Sequence, residues 1–252
     1  MRALIADDST VSRRILIGIL QHDCAISDIV QADDGEEALR LLQNGEFGVV
    51  FLDWNMPKME GIDVLSSLRE QGITTPVIMV TGEKDKEHVM RAFSAGANDY
   101  IVKPFTPKRV AERVRRTLDY GLAPRRSRRL RRALVADDSA VLRRLLASIL
   151  KDRCSFGEVI QAGDGAEAVE AAAEGGFDLI LLDWNMPNMQ GIDALRAIRA
   201  SDRNTPVIMV TSEKEGTRIV EAIDAGANNY IIKPFEPVSL AEKLKQVLRL
   251  SK

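Results

Sequence analysis

The sequence is poor in the residues that build disulfide frameworks and zinc sites. Its 252 residues include two cysteines and two histidines, too few for a disulfide-stapled fold or a common zinc site. Apolar runs such as residues 49–52 and 77–80 are short, whereas a membrane-spanning helix needs about 20 apolar residues. The first residues show no charged region followed by an apolar core, so a secretory signal is not expected. We therefore expect a cytoplasmic protein with no membrane segment.

What the sequence does contain is a long internal repeat with a constant offset of 130 residues. Between residues 3–120 and 133–250, 56 of 118 positions are identical and no gap is needed. The clearest repeated segments are LIADDS at 4–9 and LVADDS at 134–139, LDWNMP at 52–57 and 182–187, and TPVIMVT at 75–81 and 205–211. A period of this length indicates a duplicated domain and not a solenoid of short repeats.

Charge separates the two copies from the segment between them. Residues 1–120 and 133–252 each carry a net charge of −4, whereas residues 121–132 carry six arginines and no acid. We predict two domains, 1–120 and 133–252, joined by a basic linker, 121–132. We expect this linker to be either an exposed spacer or a tether that docks on an acidic face of one of the domains. Nucleic-acid binding is the least favoured alternative, because aromatic residues for base stacking are missing and both flanking domains are acidic.

Within each copy, short apolar runs alternate with segments of helical periodicity. Residues 49–52, for example, lead through a Pro/Gly loop to Ile62, Leu65 and Leu68, which are spaced along one face of a helix. Five such β-α units with continuously apolar strands predict an α/β fold, a parallel sheet covered on both faces. Ligands of such sheets bind outside the carboxyl ends of the strands.

Polar residues suited to phosphoryl chemistry follow those strand ends. In the first copy they are Asp7, Asp8, Asp53, Thr81 and Lys103, and in the second copy they are Asp137, Asp138, Asp183, Thr211 and Lys233. Carboxylates that converge on one rim repel each other unless a cation lies among them, and oxygen ligands suit Mg²⁺. A carboxylate flanked by a metal, a hydroxyl and an ammonium can attack phosphorus and carry an aspartyl phosphate.

This ordered set resembles the receiver domains of two-component response regulators, among which those of the CheY chemotaxis type are especially similar. The resemblance covers nearly all of the chain outside residues 121–132 and rests on the acidic pair, the DWNMP loop, the threonine and the Lys-Pro-Phe turn. It implies two tandem flavodoxin-like, doubly wound sheets, each with strand order 2-1-3-4-5 and five helices. It also implies cis peptide bonds before Pro104 and Pro234.

The resemblance further implies a role for each site residue. Asp53 and Asp183 would accept the phosphoryl group, with Thr81, Lys103, Thr211 and Lys233 contacting it. One Mg²⁺ per domain would be held by Asp7, Asp8, Asp53 and the main-chain carbonyl of Asn55, and by Asp137, Asp138, Asp183 and the carbonyl of Asn185. Tyr100 and Tyr230 would be switch residues that respond to phosphorylation.

The expected function is that of a response regulator with two phosphorylatable receivers and no effector domain. Its chemistry would be limited to self-catalysed phosphotransfer and autodephosphorylation. The donor would be a histidine kinase or a histidine phosphotransfer protein, and the target a protein bound through helix 4, strand 5 and helix 5. Inter-domain or homodimer contacts are possible.

Three alternatives stay open: a phosphate sink or phosphorelay intermediate, a fragment of a longer regulator such as a cyclase, and a phosphatase of the haloacid dehalogenase type. The last is disfavoured because Asn55 stands where those enzymes place a second acid.

Overall fold

Five short apolar segments of the first copy form the predicted parallel sheet. The computed structural model describes residues 1–82, 86–122, 131–212 and 216–248. The strands are β1 (Arg2–Ala6), β2 (Asp28–Ala32), β3 (Val49–Asp53), β4 (Val77–Thr81) and β5 (Asp99–Val102). The helices are α1 (Thr10–Asp23), α2 (Gly35–Asn44), α3 (Gly61–Glu70), α4 (Lys86–Ser94) and α5 (Pro107–Leu122). The strand order is β2-β1-β3-β4-β5, and all pairs are parallel.

The second copy repeats this architecture. Its strands are β6 (Arg131–Ala136), β7 (Phe156–Ala162), β8 (Leu179–Asp183), β9 (Val207–Thr211) and β10 (Asn229–Ile232). Its helices are α6 (Ala140–Cys154), α7 (Gly165–Ala173), α8 (Gly191–Ser201), α9 (Gly216–Asp224) and α10 (Pro237–Leu248). The order β10-β9-β8-β6-β7 is the same one read from the other side. Within the described ranges, the predicted strand order and five helices per copy are confirmed.

The central strands are apolar on both faces because helices cover both. Every residue of β3 and β4 is buried. On one face, Ile5 and Phe51 pack in a core with Leu16 of α1 and Val110 of α5. Alternate strand residues, such as Val50, point to the opposite face and are also fully buried. This burial fixes the strand register, and with it the positions of the polar residues at the strand ends.

The chain divides into two units, Met1–Leu122 and Ala123–Lys252. Helix α5 extends to Leu122 and β6 begins at Arg131, so regular structure enters the predicted linker from both sides. Arg132 lies in β6, where its Nε donates to Glu158 Oε2 at 2.6 Å. Residues 123–130 lie outside the described residues, and the spacer and docked-tether alternatives stay predictions. No helix in the described ranges is long and apolar enough to cross a membrane.

Candidate functional site

The carboxyl ends of three strands bring acidic and basic side chains together in the first unit. Asp7 follows β1, Asp53 ends β3 and Lys103 follows β5. Lys103 Nζ lies 2.7 Å from Asp7 Oδ2 and 3.1 Å from Asp53 Oδ1. Both carboxylates are buried, whereas the ammonium is partly open to solvent. The Lys103 ammonium therefore bridges two carboxylates at the sheet edge where doubly wound folds bind ligands.

A third carboxylate completes an acidic cluster at the same edge. Asp8 is exposed, and one carboxylate oxygen from each of Asp7, Asp8 and Asp53 lies within 4.8 Å of the other two. Three carboxylates and one ammonium leave a net charge of −2, which a divalent cation would neutralise. The donors are all oxygens, and this set suits a hard cation.

The electrostatics of Asp53 suit a carboxylate nucleophile. The pKa of Asp53 is raised to about 6. Burial is the main cause and the charge of Asp7 adds to it, whereas Lys103 acts in the opposite direction. Burial alone would lower the pKa of Lys103, but its hydrogen bonds and charge interactions with the two carboxylates outweigh burial and raise that pKa. At neutral pH, Asp53 is therefore mostly ionised and Lys103 is charged.

The second unit builds the same cluster with the equivalent residues. Lys233 Nζ lies 2.7 Å from Asp137 Oδ2 and 2.8 Å from Asp183 Oδ1. The carboxylates of Asp137, Asp138 and Asp183 again offer oxygens within 4.8 Å of one another. Burial also raises the pKa of Asp183, against the opposing effect of Lys233. The duplication has preserved both residue identity and geometry.

Backbone contacts hold the threonine and the lysine at a fixed spacing. Thr81 is buried at the end of β4, and its carbonyl oxygen accepts from the backbone N–H of Lys103 at 2.7 Å. The equivalent bond joins Lys233 to Thr211, also at 2.7 Å. The Lys103–Pro104 and Lys233–Pro234 peptide bonds are cis, which confirms the prediction from the resemblance.

A glycine closes the loop that follows each central aspartate. The N–H of Gly61 donates to the carbonyl of Trp54 at 2.9 Å. A Cβ atom on Gly61 would overlap the carbonyl oxygen of Asp53, so this position excludes any side chain. Gly191 meets the carbonyl oxygen of Asp183 in the same way. Asn55 and Asn185 lie in these loops with exposed side chains.

The residues that hold the first aspartate of each acidic pair were not predicted from the sequence. In the first unit, the Asp7 carboxylate accepts from the Ser9 N–H at 2.9 Å and from the Ser12 hydroxyl at 2.6 Å. Arg13 Nη1 donates to the Asp7 carbonyl oxygen at 2.5 Å. A serine before or within the first turn of a helix is usually read as a cap, and Ser9 is the N-cap of α1. The pattern alone therefore gave no signal for the second role.

Comparison with known proteins identifies the family. The family model described as response regulator receiver domain matches residues 3–115 and 133–245. The chain belongs to the response regulator receiver family. The chemotaxis protein CheY of Pseudomonas aeruginosa is 42% identical over 116 residues, which cover 45% of this chain and 93% of that protein. CheY-3 of Vibrio cholerae is also 42% identical over 116 residues, 45% of this chain and 88% of that protein.

Solved structures of receiver proteins are also similar to about half of this chain. The crystal structure of the chemotaxis protein CheY4 of Vibrio cholerae is 34% identical, with a TM-score of 0.45, and covers 47% of this chain and 99% of that chain. The two ranges matched by the family model show two receiver domains in tandem, as the sequence predicts.

The tyrosine of the last strand is buried in both receivers. Tyr100 packs edge-on against Phe93 of α4, with ring centroids 6.2 Å apart. The guanidinium carbon of Arg113 lies 5.4 Å from the Tyr100 ring centroid. In the second receiver, Lys243 Nζ lies 5.0 Å from the Tyr230 ring centroid. The switch role of the two tyrosines stays a prediction.

The face formed by β5 and α5 differs from its counterpart in the second receiver. Asp99 is fully buried and accepts from Arg113 Nη1 at 2.8 Å and from Arg116 Nη2 at 2.7 Å. Asn229 stands at the equivalent place, and its Oδ1 accepts from the N–H of Tyr230 at 2.8 Å. Burial lowers the pKa of Lys243, the counterpart of Arg113, to about 8. The first receiver thus joins α5 to β5 through buried ion pairs, whereas the bond of Asn229 is local, to the next residue of β10.

The tryptophan beside each central aspartate has different neighbours on the fourth helix of its receiver, which is α4 in the first and α9 in the second. His88 of α4 stacks on Trp54, with centroids 4.4 Å apart, and the Arg91 guanidinium lies 5.4 Å from the same ring. In the second receiver, the Arg218 guanidinium lies 5.6 Å from the Trp184 ring. These differences in contacts involve the helix 4, strand 5 and helix 5 face, through which the family resemblance implies partner binding.

Proposed function

We propose that this chain is a response regulator in which Asp53 and Asp183 each accept a phosphoryl group from a phosphohistidine. The observation that carries the proposal is the duplicated cluster itself, in which each buried carboxylate lies about 3 Å from a lysine ammonium. A carboxylate oxygen would attack phosphorus, the P–N bond to the imidazole would break, and the imidazole would leave with the electron pair and take up a proton. Two receivers in one chain would then carry one phosphoryl group each.

The surrounding residues would stabilise the transferred group. Lys103 and Lys233 would release part of their contact with the carboxylates and bind phosphoryl oxygens as point charges. The hydroxyls of Thr81 and Thr211 would donate to those oxygens. The charge that spreads over the equatorial oxygens in the transition state is stabilised by such preplaced donors.

The acidic clusters would hold Mg²⁺, one ion in each receiver. The oxygen-only donor set and the net charge of −2 fit a divalent hard cation. In the first receiver the ligands would be Asp7, Asp8, Asp53 and the Asn55 carbonyl. In the second receiver they would be Asp137, Asp138, Asp183 and the Asn185 carbonyl. When bound, the ion would neutralise the negative charge of the carboxylates and phosphoryl oxygens.

The proposal is tested with acetyl phosphate as a small phosphoryl donor. Wild-type protein with Mg²⁺ should acquire a phosphoryl group that alkaline hydroxylamine removes, as expected of an acyl phosphate. The double variant D53N/D183N should acquire none, because an amide keeps the shape of the carboxylate but is a poor nucleophile. EDTA should abolish labelling of the wild type. Labelling of the double variant at the wild-type level would reject both acceptors.

An exposed apolar pair next to each cluster supports docking of a histidine-bearing protein. Val11 and Ile15, one turn apart on α1, are 68% and 49% exposed, and the equivalent Val141 and Leu145 on α6 are 70% and 40% exposed. Because the pairs occupy the same positions in both receivers, we propose that one class of donor serves both. Such a donor would be a cytoplasmic histidine kinase or histidine phosphotransfer protein, and the family relatives suggest a role in chemotaxis.

This docking surface can be separated from the chemistry of transfer. The variant V11A/I15A should slow phosphorylation of the first receiver by a phosphorylated histidine phosphotransfer protein. It should leave phosphorylation by acetyl phosphate unchanged, because the small donor needs no surface. Equal rates with the protein donor before and after substitution would remove α1 from the proposal while leaving the acceptors in place.

We propose that output occurs through protein binding, a proposal supported by both described units being receivers. The targets would bind the helix 4, strand 5 and helix 5 faces, which differ between the two halves. The chain would therefore combine a shared input with two distinct outputs. The family chemistry assigned to it is self-catalysed phosphotransfer and autodephosphorylation.

A further inference from the structure

Ser12 makes a contact with the acidic cluster of the first receiver that neither family motif nor repeat predicts. It lies in the first turn of α1, and its hydroxyl donates to Asp7 Oδ2 at 2.6 Å. The same oxygen is 2.7 Å from Lys103 Nζ, and Asp7 Oδ1 accepts from the Ser9 N–H at 2.9 Å. Three donors, two at the start of α1 and one after β5, therefore fix one carboxylate.

The second receiver lacks this hydroxyl, although its backbone is the same at this point. Leu142 occupies the position equivalent to Ser12. The N-caps Ser9 and Ser139 have nearly identical backbone angles, φ −79° and ψ 109° against φ −79° and ψ 106°. Asp137 keeps its bond from the Ser139 N–H at 2.9 Å and its contact with Lys233 at 2.7 Å. The difference between the two aspartates at this position thus comes from one side chain.

The extra donor changes how the carboxylate is held. A carboxylate rotates readily about its last torsion, which is broad for this kind of side chain. Two donors on Asp7 Oδ2 occupy that oxygen and leave Oδ1 with spare acceptor capacity toward the cluster. Partners of this kind orient the ligands of a metal site, and their loss typically costs ten- to a hundredfold in metal affinity or activity.

We propose that Ser12 is a positioning residue that gives the first receiver a higher affinity for divalent cations than the second. This inference rests on the proposed metal site, and it adds a functional inequality between two clusters of identical ligands. At Mg²⁺ concentrations between the two dissociation constants, the first receiver would be loaded and competent for phosphorylation, and the second would be loaded only partly.

The two tryptophans allow each receiver to be measured in the full chain. Trp54 and Trp184 directly follow the central aspartates and are the chain's two tryptophans. In a W184F background, Trp54 fluorescence reports Mg²⁺ binding to the first receiver, and in a W54F background Trp184 reports the second. Titration with MgCl₂ should give a lower dissociation constant for the first receiver. S12A should raise that constant by roughly tenfold, and S12T, which keeps a hydroxyl, should restore most of it.

The reciprocal variant provides the matched control. L142S should lower the dissociation constant of the second receiver, because the equivalent backbone would place a hydroxyl near Asp137. Thermal unfolding in EDTA should show the same midpoint for S12A and wild type, which separates positioning of the ligands from folding. An unchanged or lower dissociation constant in S12A would overturn the role of Ser12 alone. If neither receiver of the wild type binds Mg²⁺ by fluorescence or calorimetry, the proposed metal site itself fails, and the inference fails with it.

Discussion

The two receivers agree at the edge of the sheet and differ in the contacts that β5 makes with the helices beside it. At the edge, both place a lysine 2.7 Å from the first aspartate of the pair, and the central aspartate is buried in each. On the divergent face, Asp99 binds two arginines in the first receiver, whereas Asn229 replaces it in the second. The residues and distances of the duplicated site have been kept while the contacts of the last strand have changed.

This contrast separates what phosphotransfer needs from what partner binding allows. For the proposed reaction, a carboxylate, a lysine and an acidic pair would have to stand at fixed distances, so substitutions there would be costly. The helix 4, strand 5 and helix 5 face must only remain packed, and the ion pairs of Asp99 are not required for this, since Asn229 replaces that residue in the second receiver. Different surfaces above equivalent sites are what a shared donor and two targets would require.

The largest change in the free energy of unfolding is expected from removing the buried charge of Asp99. In D99N, Arg113 and Arg116 lose their carboxylate partner, and breaking a buried ion pair in this way costs about 3–5 kcal/mol. Urea unfolding followed by Trp54 fluorescence in a W184F background measures the stability of the first receiver. A loss below about 1 kcal/mol would show that the network is too well hydrated to anchor α5.

Asp53 should make the stability of the metal-free first receiver depend on pH. Its folded pKa of about 6 lies above the value of 3.8 for an unperturbed aspartate, so the folded state binds more protons between these pH values. The contribution of Asp53 to the free energy of unfolding is therefore present in full below about pH 4 and is lost as the pH rises through 6. The total is about 3 kcal/mol, since each pKa unit corresponds to 1.36 kcal/mol.

The comparison with D53N isolates this contribution. In EDTA, D53N should gain stability relative to wild type as pH rises from 4 to 7. Urea unfolding of both proteins across this range provides the measurement. Parallel pH profiles for the two proteins would show that Asp53 is not perturbed by burial.

Lys243 should give the second receiver a pH dependence of opposite sign. Burial lowers its pKa to about 8 from 10.5, so the unfolded state binds more protons between these values and stability rises with pH there. Because the side chain is only half-buried, the gain between pH 7.5 and 9.5 should be on the order of 1–2 kcal/mol. K243M should abolish this slope when unfolding is followed by Trp184 in a W54F background. A slope that persists in K243M must come from another group.

The smallest change in the free energy of unfolding is expected when a carboxylate equivalent to Asp99 is introduced into the second receiver. In N229D, burial of the new carboxylate is unfavourable, but pairing with Lys243 opposes that cost, and such exchanges often come out near neutral. The expected change is below about 1 kcal/mol, against the large loss in D99N. A loss as large as that of D99N would show that Lys243 cannot reach position 229.

Much of the fold was predictable because it depends on local patterns. Continuous apolar runs such as residues 49–52 occur where a strand is covered on both faces, and the rule that ligands lie at carboxyl strand ends put Asp7, Asp53 and Lys103 at one edge. The repeat supplied a second, independent instance of each pattern. The order of the strands came from the family resemblance.

The contacts that distinguish the receivers were not predictable, because they depend on distances across the fold. Asp99 and Arg116 are 17 residues apart and meet only when α5 packs on β5. Ser12 reads as a residue of a helix's first turn until the position of Asp7 is known. A buried aspartate on a strand has no sequence signal for its partners, since several basic residues of α5 could reach it.

Labelling of single-acceptor variants tests the central claim most directly. D53N and D183N should each acquire one phosphoryl group per chain from acetyl phosphate and Mg²⁺, and the wild type should acquire two, as counted by intact-protein mass spectrometry. The mass increase in each variant should map to the peptide that contains the remaining aspartate. A wild type that never exceeds one phosphoryl group, with one single variant unlabelled, would contradict the claim that both receivers are active.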